Sequence, residues 1–244
     1  MDIMELYSIG EREIDLINPS SKKKIVAAAV AAGFRDNIHI LDFGSGYAEP
    51  LLTWSEHWTF TATGIDVREN VCQKARSRIE AAGLEDRLQI ICGDGSAFTF
   101  DVESCQVAIC LGASFIWGGF LPTLQALKRF ISPGGSIIIG EPYWIQEPVP
   151  PEIQEKENSI LREQDILKII HSEGYELVRI FRSNHDEWDE YETKNWHGLF
   201  QWLQKNPDHK DWGTVYQRLH EVQEDYLGYA RQHIGWAIFV LRHI

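Results

Sequence analysis

The chain has 244 residues, of which 44% are apolar and 24% charged, enough apolar material for a sizeable core. Its formal net charge of -13 opposes phosphate backbones, which excludes nucleic acid as an expected partner. No apolar run reaches membrane-spanning length, and Met1 to Gly10 lacks the regions of a secretion signal, so a cytoplasmic protein with no membrane partner is expected.

Along the chain, residues 1–37 are expected to be a helical N-terminal segment, with Lys22-Lys23-Lys24 a solvated helix start. Five short apolar runs then follow as strands: Ile38–Phe43, Phe60–Val67, Leu88–Cys92, Gln106–Gly112 and Ser136–Gly140. Helical stretches separate them at Ala48–Ser55, Glu69–Ala82 and Leu121–Phe130. Strands alternating with helices predict an α/β chain with a parallel sheet covered on both faces. The proline-rich run from Ile145 to Pro151 is expected to be a loop. A helix over Arg162–Glu173 and a sixth strand over Tyr175–Arg182 follow, ending a core over 38–183. Residues 184–233 form a helical insertion, read as a cap over the sheet, with a helix over Trp212–His233. A seventh strand over Gly235–Arg242 closes the chain within 234–244, and all of 1–244 is expected to be one domain. Cys72, Cys92, Cys105 and Cys110 form no C-x-x-C pair and are expected as reduced thiols.

The chemistry concentrates at Ile40-Leu41-Asp42-Phe43-Gly44-Ser45-Gly46, a glycine-rich turn at the C-terminal end of the first strand. Glycines let the backbone approach a ligand, and open α/β sheets bind ligands beyond this end of the strands. Asp42 can reach toward a cationic ligand, and Asp66, ending the second strand, can accept hydrogen bonds from both ribose hydroxyls. A dinucleotide fingerprint would put its third glycine where Glu49 stands. A carboxylate disfavours a pyrophosphate there but tolerates the cationic, phosphate-free S-adenosyl-L-methionine (SAM). SAM is therefore favoured over NAD(P), with a ligand-free turn as the remaining alternative.

Asp42-x-Gly44-x-Gly46 with Asp66 resembles the first two motifs of class I SAM-dependent methyltransferases. Gly93-Asp94-Gly95-Ser96 is similar to the segment after their third strand, and Pro133-Gly134-Gly135 to the turn before their fifth. Cys110–Phe120, Gly140–Trp144 and Glu187–Glu192 further resemble a bacterial subgroup of uncharacterised small-molecule methyltransferases. The resemblance covers nearly the whole chain. It implies a Rossmann-like, seven-stranded, mostly parallel sheet with an antiparallel last strand and a cap between strands six and seven. It implies a glycine turn cradling the amino-acid end of SAM, Asp66 on the ribose and Asp94 on the adenine amino group. With their flanking residues the expected cofactor set is Asp42, Gly44, Ser45, Gly46, Asp66, Val67, Asp94, Gly95, Ser96, Leu111 and Gly112. By the same analogy the N-terminal segment, with Tyr7, Asn18 and Pro19, is a lid over the cofactor or else a plain helix beside the sheet.

Loss of the sulfonium charge during methyl transfer favours a dry, apolar pocket, and a hydroxyl or protonated amine acceptor needs a nearby base. Ser114, Phe115, Trp117, Glu141, Tyr143 and Trp144 border the ends of strands four and five, where rings could enclose an apolar or cationic acceptor. Candidate catalytic residues are Glu141, Tyr143 and His197; the candidate substrate pocket is Ser114, Trp117, Trp144, Trp188 and Tyr191. The alternatives are rings that pack the cap, a structural ion pair at Glu141 and a structural His197. The histidines lack metal-ligand spacing, so no metal is expected. The expected activity is methyl transfer from SAM, leaving S-adenosyl-L-homocysteine, to O, N or S of a small molecule by a monomer or homodimer. The alternatives are a SAM-binding protein without methyl transfer and an NAD(P)-dependent oxidoreductase.

Overall fold

A computed structural model describes residues 1–146 and 148–243. Its strands are β1 (His39–Phe43), β2 (Thr61–Asp66), β3 (Leu88–Cys92), β4 (Cys105–Leu111), β5 (Ile131–Trp144), β6 (Leu161–Arg162), β7 (Glu176–Arg182) and β8 (Ile234–Arg242). They pair in the order β3-β2-β1-β4-β5-β8-β7, with β6 beside the end of β5. The antiparallel β8 runs against both neighbours, and the other pairings are parallel. This is the Rossmann-like arrangement expected from the sequence, with one short strand added. Side chains alternate across β1, β4 and β5 into two apolar layers. Ile40, Val107, Ile109 and Ile138 face Ile25, Leu51 and Trp54 on one side. Leu41, Phe43, Ala108, Cys110, Ile137 and Ile139 face Leu124, Leu127, Phe130, Ile166 and Ile170 on the other.

The helices are α1 (Ile3–Gly10), α2 (Lys22–Ala31), α3 (Glu49–Ser55), α4 (Glu69–Ala81), α5 (Phe120–Leu127), α6 (Pro151–Lys156), α7 (Glu163–Ser172), α8 (His185–Lys205), α9 (Trp212–Asp225) and α10 (Arg231–His233). Three expectations need correction. The fifth strand spans Ile131–Trp144 rather than Ser136–Gly140, because β8 pairs with it from Ser136 through to Trp144. Pro133-Gly134-Gly135 therefore lies inside the strand's irregular start, and Glu141, Tyr143 and Trp144 lie within a paired strand, not beyond it. The helix expected over Trp212–His233 breaks at a π-turn over Tyr226–Ala230 that contains Gly228. Pro151 opens α6 rather than ending a loop, since proline suits the first turn of a helix.

The insertion between β7 and β8 begins at Asn184, whose side chain accepts from the Glu187 N–H while the Glu187 carboxylate accepts from the Asn184 N–H. Its helices do more than cap the sheet. Leu199 and Leu203 of α8 join Val215 and Leu219 of α9 and Leu6 of α1 in a small core of their own. A Cβ on Gly198 would stand 2.4 Å from the Gly10 carbonyl oxygen, so α1 and α8 meet backbone to backbone. At the other end of α8, Trp188 packs on the main core and Glu187 pairs with Lys24 of α2. Lys24 is thus an anchor and not merely a solvated helix start. Among the described residues, no helix is long and apolar enough to cross a membrane.

Opposite Tyr143 on β8 stands Gly235, where a Cβ would lie 2.5 Å from the tyrosine ring. Tyr143 covers the glycine, and the register of the β5–β8 pair depends on that fit. Gly235→Ala is expected to destabilise the fold by about 1–3 kcal/mol through overpacking. Calorimetric unfolding should register this as a melting temperature lowered by roughly 2–12 °C.

Candidate functional site

The strand order reverses between β1 and β4, which opens a crevice beyond their C-terminal ends. Gly44 enters the turn after β1 with φ +74°, and a Cβ there would stand 2.3 Å from the Ala113 Cβ in the turn after β4. The two turns can approach this closely only with glycine at 44. The amides of Gly44 and Ser45 donate to the Ile65 carbonyl at 2.8 and 3.0 Å, and the Gly112 amide donates to the Gly140 carbonyl at 2.8 Å.

Asp66 fixes the next part of the turn. Its Oδ2 accepts from the Gly46 amide at 3.1 Å, and its Oδ1 accepts from the Arg68 amide at 3.0 Å. The Arg68 guanidinium then reaches Glu11, with Nη1 donating to Oε2 at 2.6 Å, while its Nε stays 3.5 Å from Asp66. Burial raises the pKa of Glu11, and Arg68 pulls against that rise. Glu11 starts a strap that crosses the turn, held also by Lys74, which donates to the Arg12 carbonyl at 2.8 Å. Ile17 lies 3.1 Å from where a Gly46 Cβ would be. The cleft between strap and turn, lined by Asp15, Asn18, Asp42, Ser45 and Leu111, holds about 20 Å³, room for one water.

Asp42 is 1% exposed, and its Oδ2 has no hydrogen-bond partner. Burial, helped by the nearby charge of Asp66, pushes its pKa up to about 7. The Oγ of Ser45 and the Oδ1 of Asn18 in the same cleft are also buried and unpartnered. Glu49 differs: it is buried but paired with Lys22 at 2.5 Å and with Arg78. Its charge is answered within the protein, and Lys22 is its partner rather than a free helix start. Asp94 is exposed, accepting from the amide and hydroxyl of Ser96 at 2.9 and 2.8 Å; those hydrogen bonds hold its pKa down. Gly95 is buried and Val67 exposed.

On the acceptor side the expected residues divide. Glu141 turns toward Ser114; its Oε1 is buried without a partner, and burial lifts its pKa to about 7 against the opposing pull of Ser114. Trp144 is buried at the end of β5, and Phe115 is exposed. Trp188 and Tyr191 lie on α8, where Tyr191 feels the charges of Glu11 and Arg68 and burial raises its hydroxyl pKa. Three further residues have protein neighbours of their own. Tyr143 packs on Gly235 with Arg182 and Glu163 as its polar neighbours, held there by strand pairing. Trp117 sits edge-on to Phe43, 5.0 Å between centroids, as part of the apolar layer below the sheet. His197 is carried to the solvent side of α8, with Gln201 at 3.3 Å and Glu13 at 3.8 Å. Glu11 and Arg68 escaped the sequence reading; Arg68 is two residues past Asp66, whereas nothing local marks Glu11. Three cysteines are buried, Cys92 is half-buried and all four are free thiols.

Residues 40–135 match the family described as "Methyltransferase domain". Uncharacterized protein YjhP of Escherichia coli (strain K12) is 32% identical over 246 residues, covering 99% of each protein. A SAM-dependent methyltransferase from Thiobacillus denitrificans, crystallised with S-adenosyl-L-homocysteine, superposes with a TM-score of 0.91 at 30% identity over the whole of both chains. Another from Geobacter sulfurreducens, also with S-adenosyl-L-homocysteine, gives 0.91 at 33% identity over 98% of both. The chain belongs to the SAM-dependent methyltransferases. The site of this methyltransferase fits a cationic nucleoside without phosphates. Asp42 offers a buried carboxyl that lacks a counter-charge, and Glu49 fills the place where a pyrophosphate would press on the following helix.

The Arg68–Glu11 pair anchors the strap, so Arg68→Ala leaves Glu11 buried and unpaired. A loss of roughly 3 kcal/mol is expected. Limited proteolysis should show faster cleavage within residues 11–18, and Arg68→Met with Glu11→Gln should recover most of the stability.

Proposed function

We propose that this methyltransferase transfers the SAM methyl to O, N or S of a small molecule held between the ends of β4 and β5 and the helical insertion. The observation that carries the reading is the Glu141 carboxyl beside Ser114, whose Oε1 is buried without a hydrogen-bond partner, at the strand ends next to the glycine turn. In the cofactor's place, Asp42 would face positive charge, Asp66 would receive the ribose hydroxyls, and Asp94, Gly95 and Ser96 would border the base. Gly44, Ser45, Gly46, Leu111 and Gly112 would form its floor, with Val67 at the rim. When bound, SAM supplies a methyl group to the acceptor's lone pair; the carbon–sulfur electron pair stays on sulfur, and S-adenosyl-L-homocysteine leaves. Glu141 would take the acceptor's proton, its pKa near neutrality suiting a base that must be charged before and neutral after. Trp144, Trp188 and Tyr191 would exclude water around the acceptor, and the strap would close the cofactor side.

Two outcomes test these assignments. Asp42 is protonated below about 7 in the free protein, and a cation beside it restores the carboxylate, so binding releases a proton. SAM affinity should therefore rise as pH climbs toward 7 and level above it, with calorimetry in buffers of different ionisation enthalpy counting the proton. Asp42→Asn should flatten the profile, and NAD(P) should not bind; dinucleotide binding without SAM binding overturns the cofactor assignment. Glu141 is likewise the competent base only above its pKa. Once the acceptor is identified by product mass, single-turnover rate at saturating SAM should climb to a plateau above pH 7. Glu141→Gln should abolish the climb while leaving SAM affinity within about twofold. Equal loss of both would move Glu141 to the cofactor.

A further inference from the structure

The parallel strands have a second end, opposite the cofactor crevice, and a cavity of about 240 Å³ lies there. Ile38 ahead of β1, Gln106 in β4 and residues 132–135 at the irregular start of β5 line it. Gly33 just past α2, Arg35, and Arg242 at the end of β8 complete the wall. The Pro133-Gly134-Gly135 run thus belongs to this cavity and not to the crevice. Glu141 lies nine residues beyond Ser132 on β5, roughly 30 Å of extended strand away.

Arg242 is held at one point. Its Nη2 donates to the Gly134 carbonyl at 3.3 Å, and its Nη1 lies 3.6 Å from where a Gly33 Cβ would be. Arg35 has no hydrogen bond and no ion pair among the described residues. Neither guanidinium meets a carboxylate among those residues, in a chain with 36 acids to 23 lysines and arginines. Two like charges on one small cavity repel each other, and no acid lines it to offset them. The neutral part of the wall adds donors rather than acceptors. Gln106 accepts from the His39 amide at 2.7 Å and donates to the Ser132 hydroxyl at 3.4 Å, which leaves its second amide hydrogen unused. The Ala32 carbonyl at the end of α2 is taken by the Ser136 hydroxyl at 2.8 Å. A cation would meet two guanidiniums here, and an apolar molecule would strip water from their N–H groups. An oxyanion would meet both charges and match the planar fork of each.

We propose that this cavity binds a small oxyanion, a phosphate or a carboxylate, between Arg35 and Arg242, at a site separate from the cofactor crevice. It goes beyond the methyl transfer proposed above and does not depend on the identity of the acceptor. The test is calorimetric titration of the full chain with inorganic phosphate and with citrate, in about 0.15 M sodium chloride to screen loose charge attraction. At least one of the two should bind once per chain with a dissociation constant below about 1 mM, and the tighter one tells phosphate from carboxylate. Arg35→Met removes one fork without breaking any hydrogen bond described above, and it should weaken the anion at least about tenfold. Arg242→Met should do the same, with its melting temperature measured because Arg242 also holds the Gly134 carbonyl. The bound anion should raise the melting temperature of the parent and not that of Arg35→Met. Saturation with S-adenosyl-L-homocysteine should leave the anion's affinity unchanged, since the two sites lie at opposite ends of the strands. The proposal is overturned if neither anion binds below about 1 mM, if Arg35→Met binds it as the parent does, or if S-adenosyl-L-homocysteine displaces it.

Discussion

The carboxylate of Asp66 is the point on which the site depends. One oxygen holds the Gly46 amide and so the shape of the turn after β1; the other holds the Arg68 amide at the start of α4. Through the Arg68 guanidinium the same residue secures Glu11 and the strap across the turn. Each carboxylate oxygen has two lone pairs, so these duties leave acceptor capacity for a sugar hydroxyl. The same carboxylate thus organises both the backbone of the turn and the segment above it.

The acids of this region fall into two kinds. Glu11, Glu49 and Glu187 are paired with Arg68, Lys22 and Arg78, and Lys24 respectively, and they tie elements together. Asp42 and Glu141 lack such partners, and burial drives each toward a pKa of about 7. An unpaired buried carboxyl is costly to the fold, and that cost is offset when positive charge arrives beside it. In a protein whose net charge is -13, two buried carboxyls without a counter-charge add nothing to folding. Their common feature is position, on the strands that border the crevice.

Much of the sheet was legible because β1, β2, β3 and β4 are short apolar runs with glycine or polar breaks, and each strand carries its own signal. The end of β5 was not, since Glu141, Pro142 and Tyr143 form strand only through pairing with β8 some ninety residues away. That pairing also puts the Tyr143 ring over Gly235, a contact the sequence does not signal. The glycine turn and its two acids stood out locally, because Asp42, Gly44 and Asp66 have fixed spacing. Arg68–Glu11 joins residues 57 positions apart and has no spacing to read. In the insertion the three-residue interval from Trp188 to Tyr191 was visible, but Tyr226, whose ring packs against Trp188 and Trp196, comes from a π-turn that a helical pattern conceals.

The backbone contact between Gly10 and Gly198 has a mechanical corollary. Because α1 and α8 touch backbone to backbone there and share the core around Leu6 and Leu199, the segment that follows α1 and the helical insertion form one packed unit, so a displacement of either must carry the other or break that core.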